Sequence, residues 1–149
     1  DDFGMKVIIS TRTKPENCKY EQVTTEEAFK RADVLTVHCP LTPQTENLIC
    51  RKNLELMKPS AIVINTARGG IVNEQELADA LNNGVIAGAG LDVLREEPMS
   101  ETTPLKNAKN CIITPHIAWA GIETRKRVVE IAKDNLLSYL NGVRRNRIV

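Results

Sequence analysis

A chain of 149 residues with 42% hydrophobic and 26% charged residues has the make-up of an ordinary globular domain, long enough to bury a core. Its 20 basic and 19 acidic side chains leave a formal charge of +1, which calls for neither nucleic acid nor a membrane surface as a partner. No signal peptide opens it and no apolar stretch is long enough to span a bilayer, so a cytoplasmic protein is expected.

Cys18, Cys39, Cys50 and Cys111 show no Cys-x-x-Cys spacing and read as reduced structural thiols. With only two histidines to join them, no metal site is expected. The tail Arg144-Arg145-Asn146-Arg147 lacks aromatic neighbours and reads as a solvated end.

In chain order, Gly4 reads as the C-cap of a helix lying upstream, for which Asp1-Asp2-Phe3 is too short. Met5–Ile9 is a β-branched run and an expected strand. Thr24-Thr25-Glu26-Glu27 offers a capping threonine and first-turn acids, predicting a helix to about Arg31. Val34–His38 is the next expected strand, with His38 as a satisfied strand histidine, and Cys39-Pro40-Leu41-Thr42-Pro43 turns the chain. Asn53–Met57 has a short helical pattern stopped by Pro59.

Ala61–Asn65 is fully apolar up to its last residue, as in a strand buried on both faces of a parallel sheet. Glu74–Leu81 is amphipathic and ends at Asn82-Asn83-Gly84. Ala87–Val93 is a small-residue strand whose Gly88 and Gly90 point to close approach of another backbone or a ligand. Cys111–Thr114 is the last strand, and Glu123–Leu140 a long helix with Val128, Ile131, Ala132, Leu136 and Leu140 near a period of about 3.6 residues. Strands alternating with helices predict an α/β fold, a Rossmann-like doubly wound parallel sheet binding ligands at the carboxyl ends of its strands.

Three stretches fall at such ends: Asn65-Thr-Ala-Arg-Gly-Gly70, Leu91-Asp-Val-Leu-Arg-Glu-Glu-Pro98 and Ile113-Thr-Pro-His-Ile-Ala-Trp119. They bring an arginine, a carboxylate and a histidine. An arginine fork grips a carboxylate through two hydrogen bonds. A histidine is the natural proton donor near neutral pH, and a neighbouring anion keeps it protonated. The set suits hydride transfer to a 2-keto acid. Taken singly, Arg68 is equally a surface arginine, Glu97 a solvated acid beside Arg95 and Glu96, and His116 a structural histidine. The order and placement of all three together carry the reading.

Val63–Leu81, Ala89–Pro98 and Ile113–Trp119 resemble the D-isomer-specific 2-hydroxyacid dehydrogenases, and the resemblance runs over essentially the whole chain. His-Ile-Ala-Trp-Ala, residues 116–120, is most similar to the glycerate dehydrogenase or hydroxypyruvate reductase branch. The resemblance implies that Arg68 binds the substrate carboxylate and polarises the keto group. It implies that His116 exchanges a proton with the carbonyl oxygen, that Glu97 hydrogen-bonds His116, and that Asp92 holds the nicotinamide carboxamide. Cys39, Pro40, Thr66, Ala67, Arg68, His116, Ile117, Ala118 and Trp119 would line the cofactor, with Trp119 either walling the pocket or packing in the core.

Where the NAD pattern places an acid at the end of the second strand, this chain has Ser10-Thr11-Arg12, followed by Lys14. A cation there accommodates a 2′-phosphate, so NADP is expected ahead of NAD. The family's Gly-x-Gly-x-x-Gly turn would fall just upstream of Asp1, and the only paired glycines are Gly69-Gly70. Residues 1–149 are therefore expected to be a partial NAD(P)-binding domain, truncated before its first βα unit and without a substrate domain. In the order 3-2-1-4-5-6 this leaves Met5–Ile9 and Ala61–Asn65 with unpaired inner edges. Those edges are expected to pair with each other, to borrow a strand, or to be covered by dimerisation.

The resemblance implies an NAD(P)-dependent oxidoreductase for 2-keto and 2-hydroxy acids, with hydroxypyruvate or glyoxylate as substrate and a homodimer as the assembly. Alone, the piece is expected to bind dinucleotide weakly and to be inactive. The alternatives are a dinucleotide-sensing, corepressor-like binding module and an inert fragment.

Overall fold

The structure is a computed structural model describing residues 4–13 and 16–148. Residues up to Pro115 form one compact unit and those from His116 onward a second. The upstream helix end expected at Asp1-Asp2-Phe3 lies outside the described residues, as does Lys14.

In the first unit, four parallel strands lie in sequence order: β3 (Val34–Val37), β4 (Ile62–Asn65), β5 (Gly88–Leu91) and β6 (Cys111–Ile113). A separate pair of parallel strands joins β1 (Ile8–Ile9) to β2 (Glu21–Gln22). Between the strands run α1 (Thr25–Arg31), α2 (Arg51–Leu54) and α3 (Glu74–Asn82), with 3-10 turns at Gly69–Ile71 and Pro104–Asn107.

Local chemistry accounts for the helix ends. Thr24 accepts from the Glu27 N–H at 3.1 Å while the Glu27 carboxylate accepts from the Thr24 N–H at 2.9 Å, a complete capping box on α1. Asn73 caps α3 by accepting from the Glu76 N–H. At the other end of α3, Val85 N–H reaches the Ala80 carbonyl at 2.9 Å and Gly84 N–H the Leu81 carbonyl at 3.2 Å. This is a Schellman ending, and its Gly84 has φ +69, a conformation that favours glycine. The short α2 lies at Arg51–Leu54, a little before the predicted Asn53–Met57.

The core lies on one face of the sheet. Val63, Ala89 and Leu91 pack there with Leu54, Leu77 and Leu81. On the opposite face Val34 is 45% exposed, Ile62 39% and Ile112 71%. The expectation of a strand at Ala61–Asn65 buried on both faces is thus corrected: within the first unit only one face is covered by the described residues. An apolar run marks affinity for burial without saying which face finds a cover.

The expected strand pairing is also corrected. Ile62–Asn65 is hydrogen-bonded on both sides, to β3 and β5, and has no free inner edge. Ile8–Ile9 pairs with Glu21–Gln22 and not with Ala61–Asn65. The error in counting has a physical source: β2 is two residues long, too short to show alternation, and omitting it shifts every later strand by one place.

The second unit is built on α4 (Ile122–Leu140), close to the predicted Glu123–Leu140. The apolar stripe that predicted it is exposed, Val128 at 58% and Leu136 at 59%. Among the described residues, no helix is long and apolar enough to cross a membrane.

Candidate active site

Parallel pairing brings the strand ends level. Val37 stands opposite Asn65, Asn65 opposite Leu91, and Leu91 opposite Ile113. The residues that follow, His38, Thr66, Asp92 and Thr114, therefore share one edge of the sheet. The ladder continues there through Asp92 N–H to the Asn65 carbonyl and Thr114 N–H to the Leu91 carbonyl, both at 2.9 Å. This is the carboxyl edge of a parallel sheet, where such folds bind ligands.

Arg68 leaves this edge exposed to solvent, on an extended backbone that opens the Gly69–Ile71 turn. Its Nη1 donates to the Ala67 carbonyl at 2.6 Å. Asn65, completely buried, folds its amide back over the loop: Oδ1 accepts from Ala67 N–H and Nδ2 donates to the Arg68 carbonyl, each at 3.0 Å. Sequence reading passed over Asn65, although an amide ending an otherwise apolar strand was the available signal.

Glu97 lies on the exposed loop after Asp92, before a cis bond to Pro98. Its Oε1 accepts from Leu94 N–H at 2.9 Å. The loop is pinned to the start of α3, where Glu74 accepts from Arg95 N–H at 2.7 Å and from the Thr103 hydroxyl at 2.9 Å. The Arg95 guanidinium donates to Asn47 Oδ1 at 2.7 Å and pairs with Glu46 at 3.4 Å. Arg95 is therefore part of a scaffold around Glu97. The close neighbours of Gly69 and Gly70 are Leu94 and Leu41, and the close approach to Gly88 comes from the Asn110 carbonyl. These glycines admit the chain's own backbone and side chains.

Asp92 is a buried carboxylate, and the Thr114 hydroxyl donates to its Oδ1. Pro40 accepts from the Thr45 hydroxyl at 2.7 Å and adjoins a half-buried Cys39. His38 lies just past β3, exposed, with Nε2 2.9 Å from the Thr36 hydroxyl. It is a satisfied histidine at the strand's exit, where a position inside the strand was expected.

Ser10, Thr11 and Arg12 follow β1 and are exposed. The Ser10 hydroxyl meets that of Thr25 at 3.1 Å, the Thr11 hydroxyl donates to the Thr13 carbonyl, and Gln22 Nε2 donates to the Thr11 carbonyl at 3.2 Å.

In the second unit, His116 has φ +54 and accepts at its carbonyl from Trp119 Nε1 at 2.9 Å. Ile117, Ala118 and Trp119 are exposed, and at 56% exposure Trp119 is no core residue. Ala120 N–H closes the turn on the Ile117 carbonyl at 2.8 Å.

The chain offers hydroxyls at Ser10, Thr11 and Thr66, a cation at Arg12 with no acid between residues 10 and 13, and a buried carboxylate at Asp92. That donor set fits a dinucleotide. Among the described residues no three His, Cys, Asp or Glu side chains gather as a metal cage.

The profile of the D-isomer specific 2-hydroxyacid dehydrogenase NAD binding domain matches residues 1–118. A hydroxypyruvate reductase of Blautia hydrogenotrophica is 46% identical over 145 residues, covering 94% of this chain and 44% of the relative. The crystal structure of the TT0316 protein from Thermus thermophilus superposes with a TM-score of 0.89 at 44% identity, over 99% of this chain and 47% of that one. An NADPH-dependent glyoxylate/hydroxypyruvate reductase from Sinorhizobium meliloti, in complex with citrate, superposes with a TM-score of 0.83 at 33% identity, over 93% of this chain and 44% of that one. The chain thus spans a little under half the length of these proteins. Its matching profile, its parallel sheet and its level carboxyl edge agree, and the chain belongs to the D-isomer-specific 2-hydroxyacid dehydrogenase family, in the part that forms the NAD-binding domain.

Proposed function

We propose that this chain is the NAD(P)-binding part of a reductase that converts hydroxypyruvate or glyoxylate to the corresponding 2-hydroxy acid. The observation that carries the reading is the placement of Arg68. It is an exposed cation on a clamped loop at the carboxyl edge, in a chain matching the family profile and 46% identical to a hydroxypyruvate reductase.

The bound nicotinamide supplies or takes the hydride. The protein's own groups handle charge and the proton. Arg68 grips the substrate carboxylate with its guanidinium fork and turns the keto carbon toward the hydride path. The His116 imidazole gives its proton to the carbonyl oxygen during reduction and recovers it in oxidation. Glu97 supplies the carboxylate of the acid–base set, and Asp92 would accept from the nicotinamide carboxamide. The backbone of Thr66, Ala67 and Arg68, with Cys39, Pro40 and residues 116–119, would line the cofactor. Arg12 receives the 2′-phosphate of NADP, with Ser10 and Thr11 beside it, so NADPH is the preferred reductant. Four cysteines read as reduced thiols and a near-neutral charge support a cytoplasmic protein, acting on small molecules as a homodimer.

The test is keto-acid-dependent NADPH and NADH oxidation by the intact gene product. Turnover with hydroxypyruvate or glyoxylate that falls by about 100-fold or more in His116→Ala supports the reading. No turnover with either acid, by a protein that binds NADPH, overturns it.

A further inference from the structure

We propose that Asn65 is a positioning residue that sets the backbone of Arg68 for carboxylate binding, an inference that rests on the substrate role of Arg68 given above. Asn65 is the last residue of β4, its side chain has no exposed surface, and both ends of its amide are used. Oδ1 takes the Ala67 N–H and Nδ2 gives a hydrogen to the Arg68 carbonyl, each at 3.0 Å. Its own carbonyl receives Asp92 N–H at 2.9 Å, so the clamp is itself tied to the next strand.

The loop it closes is held on its far side as well. Gly69 packs so tightly on Leu94 that a Cβ there would lie 1.9 Å from the Leu94 carbonyl carbon and oxygen. Arg68 is thus suspended between two fixed points, the Asn65 amide before it and the Leu94 backbone after it. A long side chain placed in this way starts from one backbone orientation, and a bidentate grip depends on such a start.

The chemistry demands an amide. An aspartate of the same size accepts from Ala67 N–H but sets an ionised oxygen against the Arg68 carbonyl. A serine is too short to reach both groups. A lost partner leaves a polar group in a site with no water contact at the Asn65 side chain. Asn65 touches neither substrate nor hydride. It acts through Arg68, and the two residues should be energetically coupled.

The experiment is a double-mutant cycle in the intact gene product, using Asn65→Ser and Arg68→Ala singly and together, with hydroxypyruvate as the varied substrate. Asn65→Ser is expected to raise the KM for hydroxypyruvate about tenfold while leaving the Kd for NADPH, read by nicotinamide fluorescence, within about twofold. In the Arg68→Ala background the same change should have an effect below about twofold, because the group it positions is gone. If Asn65→Ser does not fold, as its thermal melt would show, Asn65→Asp keeps the shape and one hydrogen bond and carries the same cycle. An Asn65 effect of equal size with and without Arg68, or no effect at all, overturns the inference alone. An Arg68→Ala enzyme with unaltered KM overturns the reading of Arg68 itself, and the inference falls with it.

Discussion

Gly69 and Leu94 meet backbone to backbone, so closely that a Cβ on Gly69 would sit 1.9 Å from the carbonyl of Leu94. One residue follows Arg68 and the other lies three before Glu97, so the contact joins the two loops that carry them. Backbone cannot step aside as a flexible side chain can. Gly69→Ala is therefore expected to destabilise the protein by about 2 kcal/mol or more. Urea denaturation of the variant checks this, and an unchanged midpoint would show that the loops are free to separate.

The Thr114 hydroxyl donates to the buried Asp92 carboxylate across the exits of β5 and β6. Thr114→Val keeps the shape and removes that donor. The expected cost is about 1–2 kcal/mol, the order for a buried polar group losing a partner. The reading of Asp92 as a cofactor ligand adds a weaker hold on NADPH. Paired melting and fluorescence titrations separate the two effects, and a variant matching the wild type in both would deny the hydroxyl a role.

Arg31 holds Glu21 by a two-point pair, at 2.7 and 2.8 Å, joining α1 to β2. Hydrogen bonding to the Arg31 guanidinium, more than any other influence, brings the Glu21 carboxyl from 4.5 down to about 2. Glu27 is lowered too, chiefly by the Thr24 backbone N–H. A lowered carboxyl means that the unfolded chain takes up the proton first as pH falls. The Glu21 contribution to stability is therefore complete above about pH 4.5 and lost as pH falls toward 2. Glu21→Gln should flatten the pH dependence of stability in that window, and because both partners are partly exposed the difference should shrink in high salt. Identical acid profiles would remove Glu21 from the account.

Arg12 is exposed after β1, with no acid among residues 10–13. Arg12→Ala is expected to raise the KM for NADPH about tenfold and to leave that for NADH nearly unchanged. Steady-state kinetics of the intact gene product with both cofactors decide it. An unaltered ratio would make Arg12 a plain surface cation.

Much of the local structure was legible in the sequence because it depends on neighbours along the chain. Thr24 with Glu27 announced the start of α1, and Asn82-Asn83-Gly84 announced the end of α3, since caps are made within a few residues. Apolar runs located β3 through β6, and the polar residues ending them pointed to Arg68, Asp92 and the loop of Glu97.

Tertiary structure alone decided the relations between distant segments. Strand neighbours were one: the partner of Ile62–Asn65 on the edge expected to be bare is Val34–Val37, and Ile8–Ile9 instead meets a strand of two residues that no pattern marks. The burial of a single sheet face was another, because hydrophobic sequence records a preference for leaving water and not the identity of the cover. The service of Gly69 to Leu94, and the fold of Asn65 over Arg68, were the last. Each depends on where a group comes to lie in space, and spacing along a chain carries that information only for groups a few residues apart.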